Sequence, residues 1–198
     1  MRKNWAALAL TGMLCLTTFA GTQTVSAETA DSAKQVDIVF THDTHSHLNT
    51  FTTVVDDAEK EVGGFARINT LIQEQKAKNP DTLVIDGGDF SMGTLIQTVF
   101  ETQAAEIRML GYMGCDVTTL GNHEFDYRSK GLANMLNSAA ESGDDLPAMV
   151  VCNVDWESME AAGLSEGQQQ IRDAFDEYGV SDYVVLEKIG RASCRERV

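Results

Sequence analysis

Proline is nearly missing from this chain, with 2 among 198 residues, and glycine stops at 16. That excludes a collagen-like repeat and a Pro/Gly-rich disordered tract, and no internal repeat or low-complexity run is visible. Cysteine is scarce as well. Of the 4, Cys15 lies near the start and Cys194 near the end, which leaves Cys115 and Cys152 in the body of the chain. Two thiols make no disulfide framework, even in an oxidising compartment; both read as buried thiols beside strands and neither as a metal ligand. Positive charge is in short supply, with 15 Lys and Arg against 30 Asp and Glu and a net charge of −15. Such a surface repels nucleic-acid backbones and anionic membranes, so polymeric DNA or RNA is excluded as a natural partner, whereas a small anion drawn in by a local positive field is not. Long apolar runs are absent too: Trp5 to Ala20 is mostly apolar yet short for a membrane span. What remains, 43% apolar and 23% charged residues, is the make-up of one globular domain with a real core.

Both ends read as additions to that domain. Arg2 and Lys3 precede the apolar stretch, and Val25-Ser26-Ala27 offers a small-residue cleavage site. Residues 1–27 are therefore expected to be a secretory signal peptide, and the protein to be secreted or extracytoplasmic, in the periplasm or on the cell surface. Leu14 before Cys15 is too large for lipoprotein cleavage, and no transmembrane segment beyond the signal is expected. Residues 189–198, IGRASCRERV, back-translate to a widely used short-read sequencing adapter, so they read as adapter translated in frame. Residues 28–188 then carry the fold. Without Arg2, Lys3, Arg191, Arg195, Arg197 and Glu196, 10 basic residues face 29 acidic ones, a net −19.

Within that segment the apolar pattern alternates between strand and helix. Val36 to Phe40 reads as a buried strand. Gly63-Gly64 opens a helix with Phe65, Ile68, Leu71 and Ile72 on one face, and Asn79-Pro80-Asp81 ends it. Thr82 to Ile85 is a second strand. A helix with Phe100, Ala104, Ile107, Leu110 and Met113 on one side follows, closed by Gly111 and Gly114. Val117 to Leu120 is a third strand, Leu132 to Ala139 marks a third helix, and Ala148 to Cys152 is a fourth strand. Ser165 with Gln168 resembles a capping box before a helix carrying Ile171, Ala174, Phe175 and Tyr178. Tyr183 to Leu186 is a last strand. Asp144-Asp145 and the stretch from Trp156 to Gly163 read as loops. The alternation predicts an α/β fold with a mostly parallel sheet and flanking helices.

Three polar clusters directly follow the first three strands: Thr41-His42-Asp43-Thr44-His45-Ser46-His47, Gly87-Gly88-Asp89-Phe90, and Gly121-Asn122-His123-Glu124-Phe125-Asp126. Together they hold all 4 histidines. In an open parallel sheet, ligands gather beyond the carboxyl ends of the strands, so clusters far apart in sequence can meet in one pocket. Asp43 and His45, two apart, share one face of an extended chain and can grip one ion. Asp89 follows a glycine pair that permits a tight turn, and its two oxygens can bridge two ions. Asn122 adds a neutral oxygen. Mixed nitrogen and oxygen donors suit Zn²⁺, Mn²⁺ or Fe. Two divalent ions against Asp43 and Asp89 leave the site positive, ready for a phosphate and a metal-bound hydroxide. His123, aimed by Asp126, can hold a proton toward charge developing on the phosphate.

The ordered set Asp43-x-His45, Gly88-Asp89, Gly121-Asn122-His123-Glu124 resembles the calcineurin-like metallophosphoesterases. The longer string GNHEFD at 121–126, with Gly63-Gly64-Phe65-Ala66-Arg67 upstream, is similar to their 5′-nucleotidase branch. The resemblance spans about Val36 to Lys188. It implies a four-layer αββα sandwich, here incomplete. It implies Asp43, His45, Asp89 and Asn122 as ligands of two divalent metal ions, and His123 with Asp126 as the catalytic pair. Asn122 and His123 also face the substrate, a small-molecule nucleotide losing its phosphate. His42 stands where relatives carry Asn and, with His47 and Arg67, is expected to support the ligands rather than bind metal. Glu124 is expected to make local hydrogen bonds, and Asp86 to support Asp89.

The later His-bearing segments of the family and its nucleoside-binding domain are missing, since no histidine follows His123. The chain is therefore expected to be inactive alone. Alternatives on the same fold are a 2′,3′-cyclic-nucleotide phosphodiesterase and a nucleotide-sugar hydrolase; a non-catalytic metal- or nucleotide-binding module is the alternative of another class. Asp89-Phe90-Ser91 lacks the Asp-Arg-Gly of the Ser/Thr protein phosphatases.

Overall fold

A computed structural model describes residues 36–188 and 192–195. The signal-peptide reading of 1–27 and most of the adapter reading lie outside the described residues. Four parallel strands form the central sheet in the order β1 (Ile38–Thr41), β4 (Leu83–Asp86), β5 (Val117–Thr118), β6 (Ala148–Met149). Register is direct, with Ile38 beside Leu83, Ile85 beside Val117, and Val117 beside Ala148. Helices α1 (Phe65–Lys78), α2 (Phe100–Gln103), α3 (Ala105–Tyr112), α4 (Arg128–Ala140), α5 (Trp156–Ala162) and α6 (Glu166–Tyr178) connect or flank the strands. The α/β class and the parallel sheet with flanking helices are as the alternation of patterns predicts. No helix among the described residues is long and apolar enough to cross a membrane.

The core lies between one sheet face and the helices. Phe65, Ile72, Val84, Phe90, Phe100, Ile107, Leu110, Leu132, Met135, Leu136 and Phe175 are buried there. Helix α4 packs along α6 and against α2, and the Phe100 ring stacks on Tyr127 at 5.3 Å. The capping box is present: Ser165 Oγ accepts from Gln168 N, and the Gln168 side chain takes the Ser165 backbone N–H at 2.8 Å. Cys115 is buried among these residues, and desolvation pushes its thiol up to about 12.

Several local expectations are corrected. Strand β1 is not buried on both faces: Ile38 is 54% and Phe40 59% exposed, because the described residues cover only the opposite face of the sheet. Leu71 points away from the core at 58% exposure. The second helix is two, α2 and α3, broken where Ala104 turns left-handed at φ 46°. The third and fourth strands stop early, although Val150 still bridges Ser181 in parallel. The Trp156–Gly163 stretch is helical rather than looped: Asp155 accepts Ser158 N at 3.0 Å, and Trp156 lies edge-on to Phe175 with Arg172 over its ring. An antiparallel hairpin, β2 (Phe51–Val55) with β3 (Ala58–Val62), has no counterpart in the sequence pattern. Its turn is Asp56-Asp57 at φ 53° and 59°, a left-handed pair more often written Asn-Gly. The last strand, β7 (Val185–Lys188), pairs antiparallel with β8 (Ala192–Arg195) instead of joining the parallel sheet.

Two measurements check this packing. Phe100→Ala removes a fully buried ring and is expected to cost about 3–5 kcal/mol, a large part of a typical domain's stability, read from urea unfolding. Alkylation at pH 8 followed by peptide mapping is expected to leave Cys115 unmodified in the folded chain and modified after unfolding.

Candidate metal centre

The loops after β1, β4 and β5 leave the sheet at one edge, and a buried carboxyl ties their roots together. Asp86, at the end of β4, accepts Thr41 Oγ1 from β1 at 2.6 Å, Thr118 Oγ1 from β5 at 3.1 Å, and the N–H of Gly88 at 3.0 Å. Burial pushes its carboxyl above the usual range against the pull of those bonds.

Backbone bonds then fasten the first loop to the second. The N–H groups of Asp43, His45 and Ser46 donate to the carbonyls of Gly88, Asp89 and Phe90 at 3.0, 3.1 and 2.8 Å. This corrects the extended-chain reading of Asp43 and His45. Both are left-handed, at φ 51° and 46°, as is Ser46 at 54°. The turn brings His45 Nε2 to 3.6 Å from Asp43 Oδ1. Such backbone costs an L-residue about 1–2 kcal/mol and persists where the surroundings over-determine it.

The second and third loops are joined by Glu124. Its side chain is fully buried, and its oxygens accept Asp89 N at 3.0 Å, Ser91 N at 2.9 Å, Ser91 Oγ at 2.8 Å and Gly121 N at 2.7 Å. The loops touch so closely that two glycines are obligatory. A Cβ on Gly88 (φ 85°) would lie 2.6 Å from Gly121 N, and one on Gly121 would lie 2.1 Å from Asp89 Oδ1.

On this scaffold His45, Asp89 and His123 each present a ligand atom within 4.8 Å of the other two. Their hydrogen bonds orient them. His45 Nδ1 lies 3.1 Å from Met92 O, and a carbonyl only accepts, so Nδ1 carries the proton and Nε2 is free to ligate. His123 Nδ1 lies 2.7 Å from Asp126 Oδ2, which aims its Nε2 likewise. The two imidazoles meet edge-on at 5.0 Å. The His123 N–H donates to Asp89 Oδ1 at 2.9 Å. The Asn122 side-chain amide lies against Asp89, its nitrogen donating to Asp89 Oδ2 at 3.1 Å and its oxygen accepting the His123 N–H at 3.3 Å. The nitrogen and oxygen donors of His45, Asp89 and His123 fit a divalent transition metal.

Asp43 is more exposed. Its carboxyl is held below the usual range first by the hydrogen bond from His42, then by the charges of His42 and His45. The Asp126 hydrogen bond is the main cause that raises His123 above an ordinary histidine. His42 bonds Asp43 and packs on Phe40. His47 sits away from the ligand group, its Nδ1 3.3 Å from Thr44 O and its ring against Phe51. Arg67 donates to Gly63 O at 3.1 Å and pairs with Glu61, bracing the hairpin. The fold brings His123 into one group with His45 and Asp89. Sequence reasoning gave no role to Glu106, which is fully buried against Ser46.

The sequence model of the calcineurin-like phosphoesterase family matches residues 36–190. A 5'-nucleotidase of Mus musculus is 36% identical over 110 residues, 54% of this chain and 19% of that protein. A 5'-nucleotidase-related protein of Glossina morsitans morsitans is 32% identical over 151 residues, 73% of this chain and 26% of that one. The crystal structure of a 5'-nucleotidase precursor from Thermus thermophilus superposes with a TM-score of 0.61 at 26% identity, covering 80% of this chain and 26% of that chain. The chain thus spans about a fifth to a quarter of the length of the curated relatives it matches.

Glu124→Gln replaces one accepting oxygen by a donor facing N–H groups. It is expected to cost about 3 kcal/mol, the order of a buried charge-assisted bond lost with its partners left unpaired, measured by urea unfolding.

Proposed function

Because the chain belongs to the calcineurin-like phosphoesterase family, we propose that it supplies part of the catalytic site of a metal-dependent hydrolase releasing phosphate from nucleotides. The convergence of His45, Asp89 and His123 carries this reading. The 5'-nucleotidases among its relatives point to the nucleotide.

His45, Asp89, Asn122 and Asp43 would hold two divalent ions, of Zn, Mn or Fe. The chemistry such ions supply when bound is Lewis acidity toward phosphate and water. The chain's own part is orientation and proton control. Asp89 is held at its N–H by Glu124 and at its carboxyl by His123 N, so its second oxygen is presented in one direction. His123 is oriented by Asp126 and would hold a proton toward the phosphate or the leaving oxygen. Asn122, beside Asp89, would meet the same phosphate.

The overall surface, at −15, disfavours nucleic-acid polymers, whereas the metal loops form a local exception screened from distant charge over roughly 8 Å. The basic start, apolar stretch and small residues at 25–27 support action outside the cytoplasm. The cyclic-nucleotide and nucleotide-sugar readings share this metal chemistry and differ in a recognition surface.

The test is phosphate release from AMP, 2′,3′-cyclic AMP and a nucleotide sugar at saturating Mn²⁺ or Zn²⁺, by the chain and by the longest reading frame containing it. The chain alone is expected to stay below ~1 s⁻¹, under the usual enzymatic range. The longer polypeptide is expected to turn over AMP and to lose about 10²–10⁴-fold in His123→Ala. Metal uptake with no turnover in either would favour a binding module instead.

A further inference from the structure

Glu106 is a carboxyl with no solvent contact, in the first turn of α3, and no basic side chain among the described residues pairs with it. Oε1 accepts Ser46 Oγ at 2.7 Å, and Oε2 has no hydrogen-bond partner among the described residues. An orphan acceptor in a core is costly, and an apolar side chain of similar shape would avoid that cost. The residue it grips is the pivot of the first loop. Ser46 is fully buried and left-handed; its N–H donates to Phe90 O, and its carbonyl accepts Thr94 Oγ1 at 2.6 Å and Leu48 N at 2.9 Å. With the hydroxyl on Glu106, every polar group of Ser46 is engaged.

We propose that Glu106 is a positioning residue for the metal-binding loop: its buried carboxyl clamps Ser46 and thereby fixes the left-handed turn on which Asp43 and His45 stand. The inference rests on the metal-site reading above and deepens it. A left-handed run of L-residues relaxes toward ordinary backbone unless something holds it. The three backbone bonds to 88–90 hold one side of the turn, and Glu106 holds the other from inside the core. Burial pushes the Glu106 carboxyl above the usual range, offset in part by the Ser46 bond and reinforced by the nearby Glu124. The two buried acids differ in kind. Glu124 is saturated with four donors, whereas Glu106 has one side-chain donor; glutamine keeps an accepting oxygen for Ser46 Oγ and leucine does not.

The experiment compares the chain with Glu106→Gln, Glu106→Leu and the double variant Ser46→Ala/Glu106→Leu, by residue-resolved amide exchange and by Co²⁺ titration. In Glu106→Leu, exchange at Asp43, His45 and Ser46 is expected to accelerate at least about tenfold while α6 amides keep their rates, and Co²⁺ affinity to fall about tenfold. Glu106→Gln is expected to stay within about threefold of the parent in both. In the double variant, which removes both polar partners, global stability is expected to recover but loop protection and affinity are not. Unchanged loop exchange in Glu106→Leu, acceleration spread evenly over the chain, or full recovery of affinity in the double variant overturns the proposal. A parent that takes up no Co²⁺ removes the metal reading of the site, while the exchange comparison still decides what Glu106 does.

Discussion

Glu124 receives four hydrogen bonds in a place without solvent: two from Asp89 and Gly121 on one oxygen, two from Ser91 on the other. Those donors belong to two loops that leave different strands, so a single carboxylate sets the distance between the Gly-Asp turn and the Gly-Asn-His turn. A buried carboxylate is tolerable only when its lone pairs are filled. That condition runs in both directions: the loops satisfy the charge, and the charge permits no looser arrangement of the loops. Gly88 and Gly121 then allow the contact that the carboxylate demands.

Below this clamp lies a second buried acid and beside it a third. Asp86 gathers the ends of β1, β4 and β5, and Glu106 reaches the first loop through Ser46. Fixed in this way, the chain sustains left-handed backbone at Asp43, His45, Ser46, Asp89 and Met92, five residues crowded around one small volume. Backbone of that kind is unfavourable in isolation and concentrates where side chains must converge. The cluster of His45, Asp89 and His123 thus rests on acids buried around it.

The amphipathic repeats of α1, α4 and α6 are plain in the sequence, since each buries one apolar stripe and carries an N-cap glycine, a run of apolar spacing or a capping box. The short strands β5 and β6 fall in the places the pattern predicts but end sooner, because an apolar run marks burial and not pairing. The hairpin β2–β3 escapes a pattern reading because its strands are almost wholly exposed and carry no alternation of burial, and α5 because seven residues are too few to display a helical period.

The sequence alone determined the chemistry on offer. All four histidines, with the acids that accompany them, fall after the first three strands, and a parallel sheet sends such segments to one edge. The tertiary structure decided which of these side chains share a space. It joined His123 to His45 and Asp89, turned Asp43 and His45 through left-handed backbone, and kept His47 against the hairpin. It alone set Glu106 against Ser46 and Glu124 between two loops, because a buried acid far from its partners in sequence looks like any surface acid until the chain folds around it and donors from other loops meet its oxygens.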